Sequence, residues 1–102
     1  MKTLAQIRQQ LTNGQFDFSQ HAFQRAVERN ISEVEIRAAG VQAQIIEEYP
    51  EDKYSPSILI LGFTTAGRAL HLQVSLADAD FTKIITLYEP DPEEWENNRN
   101  RR

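Results

Sequence analysis

The hydrophobic period of this chain changes near Ala43, and that change limits the fold more than any other feature. Before it, Leu4, Ile7 and Leu11 recur at helical spacing, as do Ala22, Phe23, Ala26 and Val27, and each group forms one apolar stripe. Thr3 with Gln6 and Ser32 with Glu35 have capping-box spacing, and Asp17 or Ser19 can cap the middle segment. These signals predict helices over residues 4–12, over 20–29, and from the Ser32 cap to near Gly40. Asn13-Gly14 and Asn30 act as stops, because Gly and Asn tolerate the left-handed backbone that ends a helix. Phe16 and Phe18 alternate with polar neighbours and read as a short extended link.

After Ala43, apolar-rich runs with β-branched and aromatic content cover residues 44–49, 57–64, 68–76 and 83–88, and they predict four strands. The intervening segments, 50–56, 65–67 and 77–82, are too short for a parallel crossover and join antiparallel neighbours. The predicted fold is therefore α+β, with N-terminal helices on one face of a four-stranded antiparallel meander. At 102 residues and 40% hydrophobic composition there is material for one core and not two. A single domain over 1–96 with a flexible basic tail at 97–102 is expected.

Alternation within the strands assigns faces. Leu70, Leu72 and Val74 share one side of the third run, which the helices should cover, and His71, Gln73 and Ser75 share the other. In the fourth run Ile85 and Leu87 oppose Ile84, Thr86 and Tyr88. The second face thus presents His71, Gln73, Thr86 and Tyr88. For Gln73, Ser75 and Thr86 an ordinary solvated surface explains the pattern.

Charge and composition narrow the function. The net charge is -4, and three arginines lie in the last six residues, so the body is more acidic than the total. A protein that bound nucleic acid chiefly by neutralising phosphates would carry a basic excess, so RNA contact here requires a local cluster or a partner. Without cysteine there is no disulfide or thiolate metal site, which suits a reducing compartment, and the first eleven residues lack an apolar signal core. A cytoplasmic protein with no membrane association is expected. No phosphate-loop or dinucleotide motif occurs, and the two histidines have no carboxylate at metal-ligand spacing, so neither metal nor cofactor is expected.

His21, Arg25 and Arg29 recur at i, i+4 and i+8 on one helix side, with His21 in the first turn where free amides favour an anion. A solvated basic stripe is the commoner meaning of such a series. Metal-free RNA cleavage needs a base for the 2′-OH, a cation for the phosphate and an acid for the 5′ oxygen. Histidine, titrating near pH ~6.5, can be base or acid. Arg25 or Arg68 can clamp phosphate, and Tyr88 or His71 can donate or position. Lys53 is an additional phosphate contact or a loop solubiliser.

The segments SQHAFQRAVERNIS (19–32), IIEEYPEDKYSPSILILG (45–62), GRALH (67–71) and IITLYEPDPEEW (84–95) resemble a bacterial family of unknown function, domain-of-unknown-function family 4258. That family is similar to the RelE-type ribonuclease toxins, which join N-terminal helices to a curved antiparallel sheet and are often encoded beside an antitoxin. The resemblance implies catalytic roles for His21, Arg25, His71 and Tyr88 and substrate contacts for Arg29, Arg68 and Thr86. It also implies an mRNA substrate, free or ribosome-bound, and an antitoxin partner. Two readings follow: a metal-independent endoribonuclease, and a non-catalytic protein-binding module on the same fold. Pairing of strand edges into a homodimer is compatible with both.

Overall fold

Thr3 opens helix α1 (Leu4–Thr12) through a complete capping box, its hydroxyl accepting from the Gln6 amide at 3.2 Å while Gln6 Oε1 accepts from the Thr3 amide at 2.8 Å. Ile7 and Leu11 point from it into the core. The computed structural model describes residues Met1–Arg102. Strand β1 (Phe16–Phe18) leads into helix α2 (Gln20–Glu28), whose cap Ser19 accepts from the Ala22 amide and donates its own hydroxyl proton to the Ile85 carbonyl. One residue thus starts the helix and ties it to the sheet. Asn30, at φ 54°, turns the chain into helix α3 (Glu33–Gly40), which has its own capping box at Ser32 and Glu35.

Four strands follow, β2 (Gln44–Tyr49), β3 (Ser57–Phe63), β4 (Ala69–Ser75) and β5 (Thr82–Tyr88), with the tight connections that antiparallel neighbours require. The sheet has five strands in the order β1-β5-β4-β3-β2, not the four expected. Phe16–Phe18, read as a link, pairs in parallel with the outer edge of β5. Its two phenylalanines pack against the core, and the helices and strands between β1 and β5 supply the length that a parallel pairing needs.

The helices cover the face bearing Ile58, Ile60, Leu70, Leu72 and Val74, as the alternation indicates. Gly62 lets α3 approach closely, since a Cβ there would lie 2.1 Å from the Ala39 carbonyl oxygen. Two details depart from the pattern. A bulge at Ile85, where the pairing jumps from Gln73–Thr86 to Val74–Ile84, puts Ile84 and Leu87 together in the core instead of Ile85 and Leu87. In α2 only Ala22 and Ala26 are buried, while Phe23 is 58% and Val27 67% exposed, because the small residues alone fit between helix and sheet.

The end of the chain is also paired. Strands β6 (Trp95–Glu96) and β7 (Asn100–Arg101) form a hairpin, turned through Asn97 and Asn98 with φ of 53° and 63°, where a flexible tail was expected. Side chains hold it in place: Trp95 is buried, and Arg101 donates to Glu47 of β2 at 2.8 and 3.1 Å. No helix is long and apolar enough to cross a membrane.

Candidate functional site

The C-terminal hairpin lies on the sheet face opposite the helices and closes over His71, which is 0% exposed rather than part of a solvated surface. His71 projects from the middle of β4, directly across from Tyr88 of β5. The Trp95 ring meets it edge-on at 4.5 Å between centroids, and the Arg101 guanidinium lies over Trp95 at 4.6 Å.

Both ring nitrogens of His71 have partners: Nε2 lies 2.6 Å from the Asn98 carbonyl oxygen and Nδ1 3.2 Å from the Tyr88 hydroxyl. A carbonyl only accepts, so Nε2 carries hydrogen. In the neutral ring Nδ1 is then an acceptor, and the Tyr88 O–H donates to it. Burial favours that neutral ring, pushing its pKa below the ordinary histidine value despite the opposing Asn98 carbonyl and the nearby Glu47 charge. Burial likewise raises the pKa of the Tyr88 phenol, so it keeps its proton.

A second polar group borders this pair. Tyr49 donates its hydroxyl hydrogen to Glu47, which also receives Arg101. Burial alone would raise the Glu47 carboxyl, but the bonds from Arg101 and Tyr49 outweigh it and hold the group below the usual range. The Tyr49 phenol is pushed up to about 12 by burial and by the neighbouring carboxylate. The other polar side chains of β4 are bonded to the β2–β3 loop and the start of β3, with Gln73 donating to Asp52 and Ser57, and Ser75 sharing a hydrogen bond with Ser55.

Beside the hairpin opens a cleft of about 590 Å³. Arg29, Arg68, Tyr88, Trp95 and Arg101 line it, and Glu89, Asp91 and Glu94 add three carboxylates. Arg68 is heavily engaged: it pairs with Glu89 at 2.7 Å and Glu35 at 3.1 Å, and donates to the carbonyls of Asn30 and Arg29. The bond to Glu89, with that to Glu35, raises its pKa further. It therefore buckles the α2–α3 turn to the start of β4. Arg29 differs, because it forms no ion pair and spends one guanidinium nitrogen on the Leu87 carbonyl at 3.0 Å.

Of the eight residues singled out in the sequence, Arg29, Arg68 and Tyr88 meet in this cleft and His71 backs it. The other four lie apart from its lining. His21 is exposed in the first turn of α2 without a hydrogen-bond partner, and Arg25 pairs with Glu28 at 2.8 Å. Lys53 sits in the β2–β3 turn over Tyr54, 5.6 Å from its ring centroid, and Thr86 is half-buried further along β5. Residues outside the predicted site complete the arrangement: Glu47, Tyr49, Trp95, Asn98 and Arg101. The i, i+2 placement of Glu47 and Tyr49 on one strand was the available signal for two of them. No group of three or more His, Cys, Asp or Glu side chains is placed to hold a metal ion.

The profile of a family described as Domain of unknown function (DUF4258) matches residues 18–89, which include His71, Tyr88, Arg29 and Arg68. The chain belongs to that family. No curated protein and no solved structure matches it.

Proposed function

We propose that the cleft beside Tyr88 binds a single-stranded RNA phosphodiester and cleaves it without a metal, as the RelE-like toxin of a toxin–antitoxin pair. One observation carries this reading: the Tyr88 hydroxyl, which lines an arginine-bearing cleft, lies 3.2 Å from Nδ1 of the buried His71. That pair can relay a proton. As the 2′-OH of the substrate gives its proton to the Tyr88 oxygen, the Tyr88 hydrogen passes to His71 Nδ1. The imidazolium so formed donates through Nε2 to Asn98 and has the Glu47 carboxylate nearby. The 2′ oxygen attacks phosphorus, Arg29 stabilises the crowded phosphate, and the departing 5′ oxygen takes a proton from water at the open mouth, the hydroxide left behind being neutralised as His71 returns its extra proton through Tyr88. The products are a 2′,3′-cyclic phosphate and a 5′ hydroxyl. His71 supplies the base, Tyr88 the relay, Arg29 the cation, and Arg68 the positioning of Arg29.

The test is RNA cleavage in EDTA, with and without ribosomes, reading 2′,3′-cyclic phosphate ends for the wild type, Tyr88→Phe and Arg29→Ala. Each variant should lose about 10²-fold or more, the usual contribution of a positioned proton-transfer group or oxyanion donor. The relay requires neutral His71, so the rate should fall on acidification only below the ordinary histidine pKa of ~6.5. Intact RNA under both conditions, or wild-type rates for both variants, sinks the proposal.

A second reading has its own support. Arg68 and Arg101 are already paired within the chain, and three carboxylates share the cleft. These features suit a non-catalytic module that docks a protein, and it would leave RNA intact in the same assay.

A further inference from the structure

The outer edge of β1 has free hydrogen-bonding capacity. In its parallel pairing the Thr82 amide donates to the Gln15 carbonyl and the Ser19 amide to the Ile84 carbonyl, with Phe16 opposite Thr82 and Phe18 opposite Ile84. This phase turns the N–H and C=O of Asp17 toward β5. It leaves those of Phe16 and Phe18 pointing outward, where no element follows in the sheet. Natural edges of this kind are normally covered, charged or twisted away.

The edge adjoins an apolar groove of about 340 Å³ between α2 and the start of α3, floored by Phe18, Ala26 and Ile31 and walled by the exposed Phe23 and Val27. Phe18 belongs to both features, its ring 6.1 Å from that of Phe23. Glu33 is the one charged residue lining the groove.

We propose that this edge and groove together dock an extended segment of a separate protein, which adds a sixth strand beside β1. Main-chain bonds to Phe16 and Phe18 set its register. Alternate apolar side chains enter the groove, and a lysine or arginine at the segment's end reaches Glu33. The chain's own C-terminus does not fit, because Arg101 anchors it to Glu47 on β2 at the far edge of the sheet. A second copy fits poorly as well, since pairing β1 with itself stacks two three-residue strands and brings Asp17 against its twin. The inference does not depend on RNA cleavage.

The ¹⁵N-labelled full chain is titrated with the peptide acetyl-Lys-Val-Thr-Val-Thr-Val-Lys-amide, and amide exchange is followed by NMR. Binding should slow exchange at Phe16 and Phe18 at least tenfold. Val27→Asp, at a site exposed in the free protein, should weaken the peptide at least tenfold with an unchanged melting temperature. The same peptide N-methylated at its valines should not bind. Absence of binding at millimolar peptide, protection on β2 instead of β1, or self-association that already occupies the edge overturns the proposal.

Discussion

The two faces of the central sheet are both buried, but by different chemistry. On the helix side, Leu70, Leu72 and Val74 meet Ile7, Leu11 and Ile36, and burial is mainly apolar, with Thr82 bonded to Gln10 of α1 at its margin. On the hairpin side, Trp95 seals a layer whose members, His71, Tyr88, Glu47 and Tyr49, are joined by hydrogen bonds. The first face needs only apolar residues of the right size, and many combinations satisfy that. The second depends on each polar group finding its partner, and no buried side-chain polar atom is left without one. A face so dependent on specific partners can hold titratable groups in fixed protonation states, which the proposed relay requires.

The sharpest way to break this comparison is to remove the seal. Trp95→Ala should cost about 3–5 kcal/mol, close to the roughly 2–5 kcal/mol expected of Leu72→Ala on the helix side, both read from urea unfolding. A cost below about 1 kcal/mol for Trp95→Ala, the scale of an ordinary surface change, would show that the hairpin rests on the sheet without forming a second core.

A smaller effect is expected at the latch. Arg101→Ala removes both hydrogen bonds to Glu47 and leaves a half-buried carboxylate with Tyr49 alone. The exposed guanidinium limits the loss to about 1 kcal/mol. Glu47→Gln in the Arg101→Ala background should recover part of it, which a direct comparison of the unfolding midpoints will show. No recovery would mean that Arg101 acts by stacking on Trp95 instead.

The helix-covered face was legible because alternation in 68–76 and the helical stripe of Leu4, Ile7 and Leu11 both record one apolar surface. The cover of the other face left no such mark. Residues 89–102 carry one large apolar side chain, Trp95, among carboxylates, asparagines and arginines, so no period emerges, and the hairpin is fixed by contacts distant in sequence. The same cause explains the mixed success over the site. Arg29, Arg68, His71 and Tyr88 lie on or beside elements whose order could be read, and alternation puts His71 and Tyr88 on one face, whereas the cover that buries His71 comes from a hairpin that pattern does not encode.

Smaller again is a pH effect that separates the faces, since only one holds a buried titratable ring. With its folded pKa below the unfolded value near 6.5, His71 is protonated more readily in the unfolded chain. Its contribution is therefore fully present above about pH 6.5 and falls as pH drops toward the folded pKa, below which the loss levels off. Comparing wild type with His71→Gln between pH 5 and 8 should show that slope only in the wild type. An identical slope in both assigns it to other groups.

The smallest effect belongs to the outer side of α2. Phe23 and Val27 complete an apolar stripe in the sequence, yet the sheet is met by Ala22 and Ala26, so stability gains little from the larger pair. Phe23→Ser and Val27→Ser should each change unfolding free energy by no more than about 0.5 kcal/mol, as at other surface positions. The T-shaped contact of Phe23 with Phe18 sets the one foreseeable difference, and Phe23→Ser should fall at the upper end of that range. A loss of about 2 kcal/mol or more from either, measured by the same urea titration, would make this side a third part of the core. Near-neutral changes would instead leave these apolar residues without a role in folding and available for a partner.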